Sequence, residues 1–196
     1  MGIQAKAVGG VALTGVMALL SLGMIGILVT LVVNLGRLTT FTYTSLPDVP
    51  VSESTLKALK ILNGALLVIP LVIFVMCAYD IGKLVANPTK AATEKVMAAA
   101  SGKQGPVKKR PILFGSLFFV LSGAVIGAMV YTGVVFGNMA AYFAAAPPPS
   151  DFPLAVEKLD TLKKVALYTT VVPGLIMVFS IALIFKAIKD KKKKSE

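Results

Sequence analysis

Four stretches of this chain run without a charged side chain for about the thickness of a bilayer. The first covers residues 7–36, and the second covers 61–79 and closes at Asp80. The third has no charge from Pro111 to Ser150, with its most apolar part ending near Gly137. The fourth covers 165–185, between Lys164 and Lys186. At ~1.5 Å of helix per residue, each reaches across a hydrocarbon core of roughly 30 Å, with tilt for the longer two. The first stretch exceeds the ~7–15-residue core of a signal peptide and reads as a retained span. The pattern predicts an all-α membrane protein with four transmembrane helices, at about 7–36, 58–80, 111–138 and 163–186.

The even-numbered helices are expected to begin before the membrane does. Ser52 is a candidate N-cap ahead of Glu53, and Leu56, Leu59 and Ile61 or Leu62 recur at helical spacing with Lys57 and Lys60 between them. In the second outer loop, Asp151 or Pro153 is the expected helix start. Helices extended beyond the outer interface would form a small cap or dock a partner. Snorkelling lysines at ordinary helix ends account for the same letters.

The two halves of the chain match. An offset of 101 aligns Leu20, Ser21, Ile25, Gly26, Val29, Val33 and Gly36 with Leu121, Ser122, Ile126, Gly127, Val130, Val134 and Gly137. An offset of 103 aligns Asp48 and Pro50 with Asp151 and Pro153, Lys60 with Lys163, and Pro70 with Pro173. Aliphatic matches arise easily by chance in apolar segments. The Asp-x-Pro loops, the mid-span prolines and the lysines are rarer letters in register. They predict two tandem helical hairpins, residues 1–86 and 111–190, as a parallel repeat about an axis along the membrane normal. Between them lies a basic linker, 87–110, with a short helix expected between the Asn87-Pro88 start and Gly102; a basic tail, 191–196, ends the chain.

Charge sets the expected orientation. The formal net charge is +11, and its placement beside the spans fits topology rather than nucleic-acid binding. Basic residues concentrate at Lys6, in the segment holding Lys83, Lys90, Lys95, Lys103, Lys108, Lys109 and Arg110, and at Lys186, Lys189, Lys191, Lys192, Lys193 and Lys194. Arg37, Lys57, Lys60, Lys158, Lys163 and Lys164 in the other loops are nearly balanced by Asp48, Glu53, Asp151, Glu157 and Asp160. Both termini and the central segment are therefore expected on the cytoplasmic side of a cell or inner membrane. Lys108, Lys109, Arg110 and Lys191 to Lys194 serve topology and meet lipid headgroups. The ending Lys193-Lys194-Ser195-Glu196 resembles the dilysine retrieval signal of endoplasmic-reticulum membrane proteins, which implies that membrane as the alternative location.

Little in the sequence carries reaction chemistry. Histidine is absent and Cys77 is the only cysteine, so no His-based triad, zinc site or disulfide is expected. The uncharged runs place no buried Asp, Glu, Lys or Arg inside the spans, the usual mark of proton relays. Asp80 and Lys83, three residues apart, are expected to pair at the interface. No enzyme activity and no cofactor are expected. Gly123-x-x-x-Gly127 and Gly133-x-x-x-Gly137, with Gly26 and Gly36 in the first span, are expected to serve close helix packing. Pro70 and Pro173 are expected to kink their helices.

The expected function is a non-catalytic structural or accessory subunit of a larger membrane complex. Its expected partners are lipids and either other membrane subunits or copies of itself, with no nucleic acid. The alternative is a passive channel or carrier for a small uncharged solute, suggested by the repeat, the paired prolines and the Ser/Thr/Asn content of the spans.

Overall fold

A computed structural model describes residues 2–41, 49–86 and 111–192. Among these residues lie six helices: α1 (Gly2–Thr40), α2 (Glu53–Leu66), α3 (Val68–Ala86), α4 (Pro111–Ala145), α5 (Val156–Tyr168) and α6 (Val171–Lys192). Asp48, the central segment with its expected short helix and its Lys108-Lys109-Arg110 cluster, and Lys193 and Lys194 lie outside the described residues.

Four stretches are long and apolar enough to cross a membrane: Thr14–Thr40, Glu53–Lys83, Pro111–Ala145 and Val156–Lys189. In α1, α3, α4 and α6 apolar side chains lie all round the helix instead of along one stripe, as lipid immersion requires. Leu19 and Phe179 are 71% and 73% exposed. Many such side chains together make an apolar surface that water would not tolerate on a monomer. The architecture is that of an all-helical chain consistent with an integral membrane protein.

The chain divides into two compact units, one of residues 1–26 with 67–109 and one of 27–66 with 110–196. In the first, Ser21 is buried and donates its hydroxyl to the Met17 carbonyl at 2.8 Å. Lys83 lies over the Tyr79 ring, Nζ 4.9 Å from its centroid. Asp80 and Lys83, expected to pair, form no ion pair among the described residues. The exposed Tyr79 ring offers the ammonium a face one turn back on the same helix.

In the second unit α4 is the central element. It packs along α5 and α6 and also touches α2. Its buried Met129, Phe136 and Met139 share the core with Leu28, Leu31, Leu35 and Leu38 of α1, Leu56 and Leu59 of α2, and Leu159 and Leu162 of α5. Lipid is as apolar as leucine, so this seam is held by dispersion and close fit rather than by escape from water.

The same positions are buried in both halves. At the offset of 101, Ser21, Leu28, Leu35 and Leu38 correspond to Ser122, Met129, Phe136 and Met139. At 103, Val51, Leu56, Leu59 and Asn63 correspond to Leu154, Leu159, Leu162 and Ala166. Pro70 and Pro173 are both buried as well.

The two helix starts fall at matching positions, Glu53 and Val156, 103 residues apart, but are capped differently. Ser52 Oγ accepts the Thr55 backbone N–H at 3.2 Å, an N-cap for α2. The expected start of α5 at Asp151 or Pro153 is corrected: α5 begins at Val156, behind an extended Ala155 that makes no side-chain cap. Two effects delay it. Pro153 steers Phe152 away from helical angles, and Leu154, only 3% exposed, is drawn into the core. The Phe152 N–H instead closes a turn on the Pro149 carbonyl at 3.0 Å.

Each even-numbered span is interrupted, at Leu67 between α2 and α3 and at Thr169–Thr170 between α5 and α6. Both interruptions fall within one turn before a proline. Proline has no N–H to donate and its ring collides with the carbonyl four residues back, which disrupts the preceding turn. Leu71 N–H donates to Leu67 O at 3.3 Å, and Gly174 N–H donates to Thr170 O at 2.9 Å. At the second break the hydroxyls of Thr169 and Thr170 bond the Val165 and Leu167 carbonyls, each at 2.7 Å. Threonine hydroxyls thus supply local bonds at the break.

Candidate functional site

The second unit places several polar side chains among apolar helices. Asn63 of α2 is fully buried. Its amide donates to the Leu59 carbonyl at 2.9 Å and to the Thr132 hydroxyl of α4 at 3.1 Å. The Thr132 hydroxyl in turn donates to the Ala128 carbonyl at 2.8 Å. Asn34 of α1, 4% exposed, donates to Thr30 O at 2.7 Å. The carbonyl oxygens of both asparagines are buried without a hydrogen-bond partner among the described residues, each an acceptor whose lone pairs ordinarily find a donor.

Beside this cluster a shallow groove of about 340 Å³ is lined by Ser54, Thr55, Ala58, Leu59, Leu62 and Tyr131. It combines an apolar floor with three hydroxyl-bearing residues, and its chemistry suits an uncharged or weakly polar molecule. No group of three or more His, Cys, Asp or Glu residues suited to a metal occurs among the described residues.

The glycines expected to pack divide by position. A β-carbon at Gly133 would sit 3.1 Å from Leu167 Cγ, so α4 and α5 meet closely there. One at Gly137 would sit 3.2 Å from Lys163 Cδ, and one at Gly36 would sit 3.5 Å from Lys60 Nζ. These two glycines are notches for lysine stems rather than contacts between backbones. At Gly26, Gly123 and Gly127 an added β-carbon would meet nothing within 4 Å among the described residues.

The tightest approach is elsewhere. A β-carbon at Gly115 would fall 2.7 Å from Ile184 Cγ1 and 3.3 Å from the Ser180 carbonyl of α6. Sequence reading missed Gly115 because no second glycine follows it at four residues. Pro70 and Pro173 lie just past the helix interruptions. Among the loop residues, Pro50 and Asp151 are exposed and Pro153 is half-buried. Lys191 and Lys192 end α6.

Phe152, between the matched Asp151 and Pro153, joins the loops to the helix ends. Its ring meets Phe41 edge-on at 5.3 Å and Phe143 at 4.4 Å. Tyr142 adds an edge contact to Phe143 at 5.2 Å. Such pairs contribute about 0.5–1.5 kcal/mol each beyond their buried area. The only sign of this cluster in the sequence was aromatic residues in loops otherwise rich in proline.

Comparison with protein families, with curated proteins and with solved structures finds no match.

Proposed function

We propose that the chain is a non-catalytic structural or accessory subunit, built as a tandem repeat of a helical hairpin, that packs into a larger membrane complex with both termini in the cytoplasm. The observation that carries this reading is the contrast between the two glycine motifs of α4. Gly133 and Gly137 are filled by α5, whereas a β-carbon at Gly123 or Gly127 would meet nothing within 4 Å among the described residues. A small-residue pair of this kind accepts a neighbouring helix at close range.

The repeat is supported by coincidences that need no apolar letter. Leu56 N–H bonds Ser52 O at 3.2 Å and Leu159 N–H bonds Ala155 O at 3.3 Å, both ends of each bond separated by the same 103 residues. The bonds Leu71 to Leu67 and Gly174 to Thr170 match in the same way. The orientation rests on the distribution of basic residues.

Purification from native membranes in mild detergent tests the reading. Other membrane proteins are expected to co-purify at fixed stoichiometry, and Gly123→Leu with Gly127→Leu is expected to release them while the chain stays inserted. A clean monomer from native membranes would overturn it. The second reading, a passive path for a small uncharged solute, is favoured by the two asparagine oxygens that have no partner among the described residues. Flux through liposomes carrying the purified chain tests it, and no uptake across a broad solute panel removes it.

A further inference from the structure

We propose that Lys60 and Lys163 form a matched pair of binding sites for the phosphate of phospholipid headgroups, in the leaflet at the hairpin-loop end of the helices. Each lysine belongs to the amphipathic helix that precedes an even-numbered apolar run, and each lies at the edge of that run. Each lysine side chain lies against a glycine of the preceding odd-numbered span, Gly36 of α1 for Lys60 and Gly137 of α4 for Lys163. A β-carbon at Gly36 would lie 3.6 Å from Lys60 Cε and 3.5 Å from its Nζ; one at Gly137 would lie 3.3 Å from Lys163 Cε and 3.6 Å from its Nζ. The glycines align at 101 and the lysines at 103, so the same device occurs twice.

The charges are available. Each amphipathic helix also carries one lysine committed to a carboxylate: Lys57 to Glu53 at 2.6 Å and Lys164 to Asp160 at 2.7 Å. Lys60 and Lys163 form no ion pair among the described residues. A lysine at the edge of an apolar span sends its ammonium toward the headgroup layer, where a phosphate supplies the missing counter-charge. The glycine notch fixes the stem and so lowers the side-chain entropy lost on binding. The first site has a further cation beside it, because the exposed Arg37 follows Gly36 in α1. Asn138 takes the corresponding place after Gly137.

The test is native mass spectrometry of the full chain released from membranes, followed by reloading with phosphatidylglycerol or with inorganic phosphate alone. Lys60→Gln and Lys163→Gln are each expected to lose one retained phospholipid, and the double variant both. Lys57→Gln and Lys164→Gln are expected to retain the full number, because those lysines are already paired. Gly36→Leu and Gly137→Leu keep the charge but displace the stem, and are expected to lose lipid like the lysine variants. Phosphatidylglycerol is expected to reload the wild type; inorganic phosphate is not. Unchanged retention in the lysine double variant, equal loss in the Lys57 and Lys164 variants, full retention in the glycine variants, or loading by inorganic phosphate alone would each overturn the proposal.

Discussion

The buried Asn63 amide donates to the Thr132 hydroxyl at 3.1 Å and ties α2 to α4. Two residues 69 apart in sequence thereby join the first half of the chain to the second. In lipid such a bond contributes about 0.6 kcal/mol on average and up to ~1.7 kcal/mol, since partly unfolded helices also find partners. Thr132→Val is expected to lower unfolding stability in detergent by about that amount. A double-mutant cycle with Asn63→Leu checks it: strictly additive losses would show that the bond contributes nothing.

Gly115 offers a sharper steric test. Its missing β-carbon would fall 2.7 Å from Ile184 Cγ1 and 3.3 Å from a backbone oxygen that cannot rotate away. Gly115→Ala is expected to destabilise the α4–α6 seam by about 1–3 kcal/mol, as overpacking does. Gly127→Ala, facing open space, is expected to leave stability unchanged for the isolated chain. Thermal unfolding of both variants in one detergent separates them.

Phe152 connects the second loop to Phe41 and Phe143. Phe152→Leu keeps apolar bulk and removes both ring contacts, at roughly 0.5–1.5 kcal/mol each. The expected result is faster proteolysis of the 146–155 loop, with little change in helix content by circular dichroism. Equal protease resistance would show that the aromatic cluster does not hold the loop.

Replacing Pro173 with alanine restores an N–H, which can re-form the bond to the carbonyl four residues back, Thr169 O. The break at Thr169–Thr170 is expected to close into continuous helix, with slower amide exchange from residue 167 to 174. The same substitution at Pro70 is expected to act alike at Leu67. Unchanged exchange would place the cause of the breaks outside the prolines.

Topology is checked by labelling. In a Cys77→Ser background, cysteine at Ser52 and cysteine at Ser101 are expected to react with a membrane-impermeant thiol reagent from opposite sides of the membrane. Reaction from the same side would contradict the hairpin arrangement.

Apolar length along the chain was enough to place four spans, because a membrane helix must satisfy its backbone internally and needs only a minimum number of apolar residues. The proline positions and the Ser52 cap were legible for the same local reason: each acts within one turn of its own helix. The start of α5 was not, since it depends on Leu154 finding a buried place, a contact with distant residues. Asp80 and Lys83 were close enough in sequence to pair, yet a neighbouring ring took the lysine.

The glycines show most clearly where sequence stops. The sequence put Gly26, Gly36, Gly123, Gly127, Gly133 and Gly137 in one class, and the alignment of Lys60 with Lys163 and Gly36 with Gly137 was already there to be read. Tertiary structure divided that class into glycines that receive a helix, glycines that receive a lysine stem, and glycines that face outward, and it added Gly115. The sequence by itself determined the apolar lengths, the breaks and the matched letters of the two halves, because these follow from the backbone's need for internal hydrogen bonds and from proline's geometry. Which small residue meets which partner was decided only by packing, because in lipid a contact is selected by the shape of two surfaces and not by hydrophobicity, which is the same on every side of the helix.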